Sequence, residues 1–129
     1  MHRYRLNMDL DVKISELSVG QMQRVELFKA LMREPELLIF DEATSTLTDT
    51  ETEEFFDILR TLNAAACTIV LISHKLHELM AISHRITVLR NGKIASLYQT
   101  AEVSKEELAT VMMGERRPLA ALGVPYYRE

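Results

Sequence analysis

The 129-residue sequence has no tryptophan, one cysteine, three prolines and four glycines. A lone cysteine cannot form a disulfide within the chain, and Cys67 opens an apolar run, so we expect a buried thiol in a reduced cytosolic protein. From the four glycines no G-x-x-x-x-G-K-[ST] segment, the loop that cradles nucleotide phosphates, can be assembled. The sequence therefore lacks one common phosphate-binding element.

The sequence also lacks an excess of positive charge and any long apolar run. It carries 15 lysine and arginine residues against 19 acidic ones, a formal net charge of -4, which argues against a nucleic-acid partner. No apolar stretch approaches the roughly 20 residues that span a bilayer. We therefore expect no direct membrane insertion, so that any link to a membrane runs through a partner.

The apolar pattern that is present predicts an α/β fold. From Ser18 to Pro35 the spacing is helical, and the predicted buried face carries Met22, Val25, Phe28, Leu31 and Met32. Residues 36–41 and 68–72 are short apolar runs, typical of strands buried on both faces. Thr48 and Glu51 have capping-box spacing for a helix between them. Strand, helix and strand in this order predict two parallel strands with a crossover helix.

The later part of the chain follows a different pattern. Residues 75–80 predict a short helix, and Asn91-Gly92 between two apolar runs predicts a β-hairpin. Ser104 predicts the cap of a last helix that runs to about Met113. Beyond Gly114 no period is left, which is typical of a linker or tail.

Polar side chains follow both predicted strands. Asp41 and Glu42 come directly after the first strand, and His74 follows the second. Ligands of open parallel sheets bind beyond the carboxyl ends of the strands, so we expect these side chains to lie close together. Asp41 can hold magnesium, Glu42 can polarise an attacking water, and His74 can hydrogen-bond a transferred phosphoryl group. Each alone would be an ordinary loop residue, but the combination favours phosphate chemistry.

The helix that precedes the acidic strand opens with Leu17-Ser18-Val19-Gly20-Gln21. Ser18 and Gln21 have capping-box spacing, which is typical of any helix start. A helix start with a small hydroxyl residue and a glycine is also an anion site, because its free N–H groups and dipole attract phosphate. Both interpretations apply to the same segment.

With these motifs in this order, the chain resembles the ATP-binding subunits of ABC transporters. LSVGQ is similar to the signature LSGGQ, ELLIFDE resembles the Walker B strand, and ISHKL resembles the switch-histidine segment. Residues 42–48 resemble the D-loop. The resemblance covers residues 9–116, and its details are most similar to importers of ribose-type sugars or of nucleosides.

The resemblance implies a partial P-loop NTPase fold, with parallel strands and crossover helices followed by a β-hairpin and a helix. Residues 1–116 would form the C-terminal half of an ABC ATPase domain and residues 117–129 a linker or tail. The implied site residues are Ser18, Gly20 and Gln21 for the γ-phosphate of ATP in trans, Asp41 for Mg²⁺, and Glu42 and His74 for catalysis.

The implied ligands are ATP and Mg²⁺, and the implied partners are a second ABC ATPase domain and a transmembrane permease subunit. The implied location is cytoplasmic, at the inner face of the cell membrane. Ala43 replaces the usual proline, and Thr48 replaces the D-loop aspartate. Without a phosphate-cradling loop, we expect the isolated chain to have no appreciable ATPase activity. Unpaired strand edges predict that the chain alone is marginally stable or self-associates.

Other interpretations stay open at this point. The chain is alternatively a non-catalytic, truncated module that pairs with an intact ABC ATPase and lends its signature helix in trans. An ABC-type ATPase of DNA repair or translation would carry similar motifs, although the acidic balance leans towards transport. A gene fragment without an independent role is the simplest alternative.

Overall fold

The computed structural model describes residues 11–114, which divide into two compact units between His74 and Lys75. The first unit contains α1 (Val19–Leu31), β1 (Leu37–Asp41), α2 (Asp49–Ala64) and β2 (Thr68–Ile72). The second contains α3 (Leu76–Ile82), β3 (Arg85–Arg90), β4 (Lys93–Gln99) and α4 (Lys105–Met113). The predicted order of elements is confirmed. The predicted tail at residues 117–129 lies outside the described residues, as do residues 1–10.

Strands β1 and β2 pair in parallel, as the strand, helix and strand order predicts. The register sets Leu37 opposite Thr68 and Asp41 opposite Ile72. Directly after β1, the N–H of Glu42 donates to the carbonyl of Ile72 at 2.9 Å, which continues the pairing by one residue. The carboxyl ends of the two strands therefore lie side by side.

The prediction that these strands are buried on both faces is wrong for the described residues. Phe40 of β1 contacts Phe55 of α2 edge to face, with ring centroids 5.2 Å apart, so α2 covers one face. The opposite face, which we call the open sheet face, has exposed fractions of 52% at Leu37, 62% at Ile39, 43% at Val70 and 47% at Ile72. A sheet needs a layer on each side to bury both faces, and in the described first unit α2 supplies one.

Helix α1 begins at Val19, as its capping signature predicts, but the face that it buries differs from the prediction. Leu31 is buried as predicted, together with Leu27 and Gly20, whereas Met22 and Met32 of the predicted face are exposed. Because Gly20 has no side chain, α1 approaches α2 closely on that side, and this approach selects which stripe of the helix is covered. The methionines consequently lie outside the core.

Helix α2 supplies three of the six buried hydrophobic residues described in the first unit. Thr48 caps it, and the reciprocal hydrogen bonds of Thr48 and Glu51 confirm the predicted capping box. Phe56, Leu59 and Leu62 follow at helical spacing and are buried. The predicted burial of Cys67 is also confirmed, and its thiol is free.

The second unit is built on the predicted hairpin. Strands β3 and β4 are antiparallel, and Asn91 and Gly92 adopt φ values of 52° and 71°, which suit a two-residue turn with left-handed backbone. Helix α4 begins after the predicted cap, Ser104, and ends at Gly114. The core of this unit consists of Ile86, Val88, Tyr98, Val103, Leu108 and Val111. Among residues 11–114, no helix combines the length and apolar character that crossing a bilayer requires.

Candidate functional site

Glu42 and His74, which the sequence predicts to lie together, are in contact at the carboxyl ends of β1 and β2. The Nδ1 atom of His74 lies 3.1 Å from Oε1 and 3.1 Å from Oε2 of Glu42. An ionised carboxylate only accepts hydrogen bonds, so Nδ1 is the donor in this contact, which does not involve Nε2. The side chains are 40% exposed at Glu42 and 71% exposed at His74, so solvent and a ligand can reach the pair.

The backbone of Glu42 is held in a conformation that non-glycine residues rarely adopt. Its φ is 52°, in the left-handed region. Its N–H donates to Ile72, and its carbonyl accepts from the N–H of Ser45 at 3.2 Å, so hydrogen bonds on both sides fix it. Strained residues of this kind concentrate at functional sites, where surrounding contacts hold them. The sequence carries no signal for this, because neither glycine nor asparagine marks the position.

The loop at residues 43–48 connects this strand end to α2. Thr44 is almost fully buried, and its carbonyl accepts from the N–H of Leu47 at 3.2 Å, so the loop is anchored from within. These contacts therefore restrain the loop even though Ala43 occupies the usual proline position. The loop fixes where Glu42 stands relative to the start of α2.

Asp41 ends β1 with an exposed carboxylate. Carboxylate oxygen is a ligand that Mg²⁺ prefers, and this ion is commonly held by one or two carboxylates with waters and substrate phosphates. In the described part of the chain, no group of three or more histidine, cysteine, aspartate or glutamate side chains is placed to hold a metal ion. The Asp41 carboxylate is thus suited to be one ligand of a magnesium ion that phosphates also bind.

The start of α1 keeps hydrogen-bond donors for a phosphate even though it is capped. The Ser18 hydroxyl accepts from the N–H of Gln21 at 3.2 Å, and the Gln21 side-chain oxygen accepts from the N–H of Ser18 at 2.8 Å. Both side chains use acceptor atoms in the cap, which leaves the Ser18 hydroxyl hydrogen and the Gln21 amide hydrogens. The first N–H groups of a helix, including that of Gly20, have no acceptor within the helix. The capping and anion interpretations are therefore compatible.

The start of α1 packs on the start of α2. An added Cβ at Gly20 would lie 2.5 Å from Oε1 of Glu51, which shows how closely the two helices approach. Gln23 also donates to the Thr46 hydroxyl at 3.5 Å, and Arg24 forms an ion pair with Glu54. The predicted site residues thus form two groups in the first unit. One lies at the sheet edge, the other lies at the α1 start, and the loop at 43–48 and α2 connect them.

Sequence comparisons show which known proteins the chain is similar to. A family described as ABC transporter matches residues 1–45. The chain is 46% identical over 112 residues to the glucose import ATP-binding protein TsgD13 of Haloferax volcanii, covering 87% of this chain and 20% of that protein. It is 43% identical over 112 residues to the nucleoside import ATP-binding protein NupA of Lactococcus lactis, covering 87% and 22%. Proteins named for ribose import match at 35 to 40% identity. The chain spans about a fifth of the length of these curated relatives.

Structure comparison gives the same result. MJ1267 in its ADP conformation, an ATP-binding cassette of an ABC transporter, superposes with a TM-score of 0.64 and 28% sequence identity, over 79% of this chain and 39% of that one. The chain therefore has the fold of part of an ATP-binding cassette. The chain is a relative of the ABC transporter ATP-binding proteins, which confirms the resemblance of its motifs.

Proposed function

We propose that this chain supplies the signature, Walker B and switch-histidine elements of an ATP-hydrolysing site that energises import of a simple sugar or a nucleoside. The contact between Glu42 and His74 at the joined ends of two parallel strands carries the proposal. Relatives named for glucose and nucleoside import support the substrate class.

Each site residue has a role that its position allows. Glu42 orients and polarises the attacking water, because its carboxylate is accessible while its backbone is fixed. As an imidazolium, His74 would donate to Glu42 through Nδ1 and to the γ-phosphate through Nε2. Asp41 would hold Mg²⁺, which when bound would offset the negative charge on the phosphates. Ser18, Gly20 and Gln21 donate to the γ-phosphate of a nucleotide that a second ATPase domain holds.

The phosphate-cradling loop of this site comes from a segment outside these 129 residues, on the same or another polypeptide. The sequence contains no G-x-x-x-x-G-K-[ST] motif, and Glu42 alone cannot place a γ-phosphate in line with a water. The open sheet face supports this arrangement, because Leu37, Ile39, Val70 and Ile72 form an apolar surface of the kind that a second layer covers.

The proposed partners are a second ABC ATPase domain and a transmembrane permease subunit. The proposed location follows from the permease: cytoplasmic, at the inner face of the cell membrane. The acidic net charge of -4 favours attachment through a protein partner over attraction to anionic lipid.

A complementation assay tests the proposal. The 129-residue chain is mixed with the P-loop-bearing segment of a related importer subunit, and phosphate release from ATP is followed. We expect turnover only when both parts are present. Glu42→Gln should reduce this turnover by at least about 100-fold. Glu53→Gln, on the exposed surface of α2, is the matched control and should retain turnover. Turnover by the chain alone, or a Glu42→Gln mixture as active as wild type, would contradict the proposal.

A non-catalytic module is the second candidate, and the donors that remain at the α1 start favour it. In this case the chain stimulates an intact ABC ATPase by lending Ser18, Gly20 and Gln21 in trans. Stimulation would then be lost in Ser18→Arg, which fills the phosphate position, and kept in Glu42→Gln. Under the first proposal both variants lose activity, whereas under the second only Ser18→Arg does, so the response of Glu42→Gln separates the candidates.

A further inference from the structure

We propose that Glu51 is a positioning residue that couples the start of α1 to the loop following Glu42. The proposal rests on the proposed function, because the coupling matters only if α1 contacts a phosphate and Glu42 acts on water. It concerns one carboxylate that takes part in two packing arrangements at once.

The first arrangement is the cap of α2. Oε2 of Glu51 accepts from the N–H of Thr48 at 3.0 Å and from the Thr48 hydroxyl at 3.2 Å. The N–H of Glu51 in turn donates to that hydroxyl at 3.2 Å. The side chain of Glu51 therefore closes the helix at the residue where the loop at 43–48 ends.

The second arrangement is the contact with Gly20 in α1. A Cβ at residue 20 would lie 2.5 Å from Oε1 and 2.9 Å from Cδ of Glu51, closer than real contacts allow. The end of a glutamate side chain would ordinarily swing aside, but this one is held in the α2 cap. A methyl group at residue 20 would therefore require the Glu51 carboxylate to move, and the same carboxylate caps α2, which links the two helix starts.

Two neighbouring contacts extend the link to the loop. Gln23 donates to Thr46 at 3.5 Å, and Arg24 pairs with Glu54, so α1 contacts residues on both sides of Glu51. Thr46 belongs to the loop that begins beside Glu42. A displacement of the α1 start by a bound phosphate would therefore reach Glu42 through Glu51 and this loop.

Hydrogen exchange of the full chain, followed by mass spectrometry without nucleotide, tests the coupling with Gly20→Ala, Glu51→Ala and the double variant. We expect Gly20→Ala to raise exchange of residues 43–50 about tenfold, because it expels Glu51 from the cap. In the Glu51→Ala background the same change should add less than about twofold. Glu51→Gln should behave like wild type, since its amide oxygen can accept from Thr48. Glu53→Ala is the control.

If the two substitutions act independently, their effects on the exchange rate multiply in the double variant, and this result would overturn the proposal. Unchanged exchange at residues 43–50 in Gly20→Ala would also overturn it. Should Gly20→Ala fail to fold, Glu51→Ala alone decides. Faster exchange at residues 18–24 supports the coupling, and an effect confined to 48–55 refutes it. Because no nucleotide is present, a failure here is distinct from a failure of the ATP assay.

Discussion

Two substitutions at Glu42 separate the effect of its left-handed backbone on stability from the effect of its carboxylate. Glu42→Ala and Glu42→Gly both remove the carboxylate and its contact with His74, so they differ only in how the backbone tolerates a φ of 52°. Alanine is destabilised in this region by steric repulsion of about 1 to 2 kcal/mol, whereas glycine is destabilised mainly by the larger entropy of its unfolded state, by up to about 1 kcal/mol. We expect the glycine variant to be the more stable of the two by about 1 kcal/mol.

The same pair of substitutions at Glu53 supplies the reference. Glu53 lies exposed within α2, where glycine should be less stable than alanine by about 1 kcal/mol. The two comparisons therefore have opposite signs and differ by about 2 kcal/mol. Urea unfolding at low protein concentration, followed by far-ultraviolet circular dichroism, measures both, and a difference of about 1 kcal/mol moves the midpoint by roughly 0.5 M. If glycine is the less stable residue at both positions, the backbone of Glu42 is not strained.

Three further changes test other parts of the structure. His74→Ala should leave the free energy of unfolding within about 0.5 kcal/mol, because its pair with Glu42 is solvent-exposed; a larger loss in urea would make the pair structural. Phe56→Ala should cost about 3 to 5 kcal/mol, since Phe56 is 1% exposed, and a cost below about 1 would contradict its core position. Ile39→Thr with Val70→Thr should reduce self-association in sedimentation velocity, which unchanged association would contradict.

Local chemistry explains what the sequence predicts well. Each predicted cap depends on side chains three residues apart, and Ser18 with Gln21 and Thr48 with Glu51 form the expected reciprocal bonds. The hairpin turn depends on two adjacent residues that tolerate positive φ. The meeting of Glu42 and His74 is less local, yet it follows from the parallel order of two strands whose ends they extend.

Contacts between distant segments explain the errors. The apolar runs at 36–41 and 68–72 predict burial on both sides, but burial depends on a covering layer, and α2 covers one face. The buried stripe of α1 depends on which side approaches α2, and both methionines on the other side look equally apolar in the sequence. The φ of Glu42 depends on hydrogen bonds to Ile72 and Ser45, which no sequence pattern predicts.

The two glycine positions of the signature-like segment differ in what the fold requires of them. Val19 occupies the first, and its side chain is exposed, so a β-branched residue fits at the opening of α1 without displacing a neighbour. Gly20 occupies the second, where a Cβ would meet the carboxylate that caps α2. Valine at the first position therefore alters a surface, whereas any side chain at the second would displace the carboxylate that caps α2. The departure from LSGGQ thus falls at the position where the fold leaves room for it.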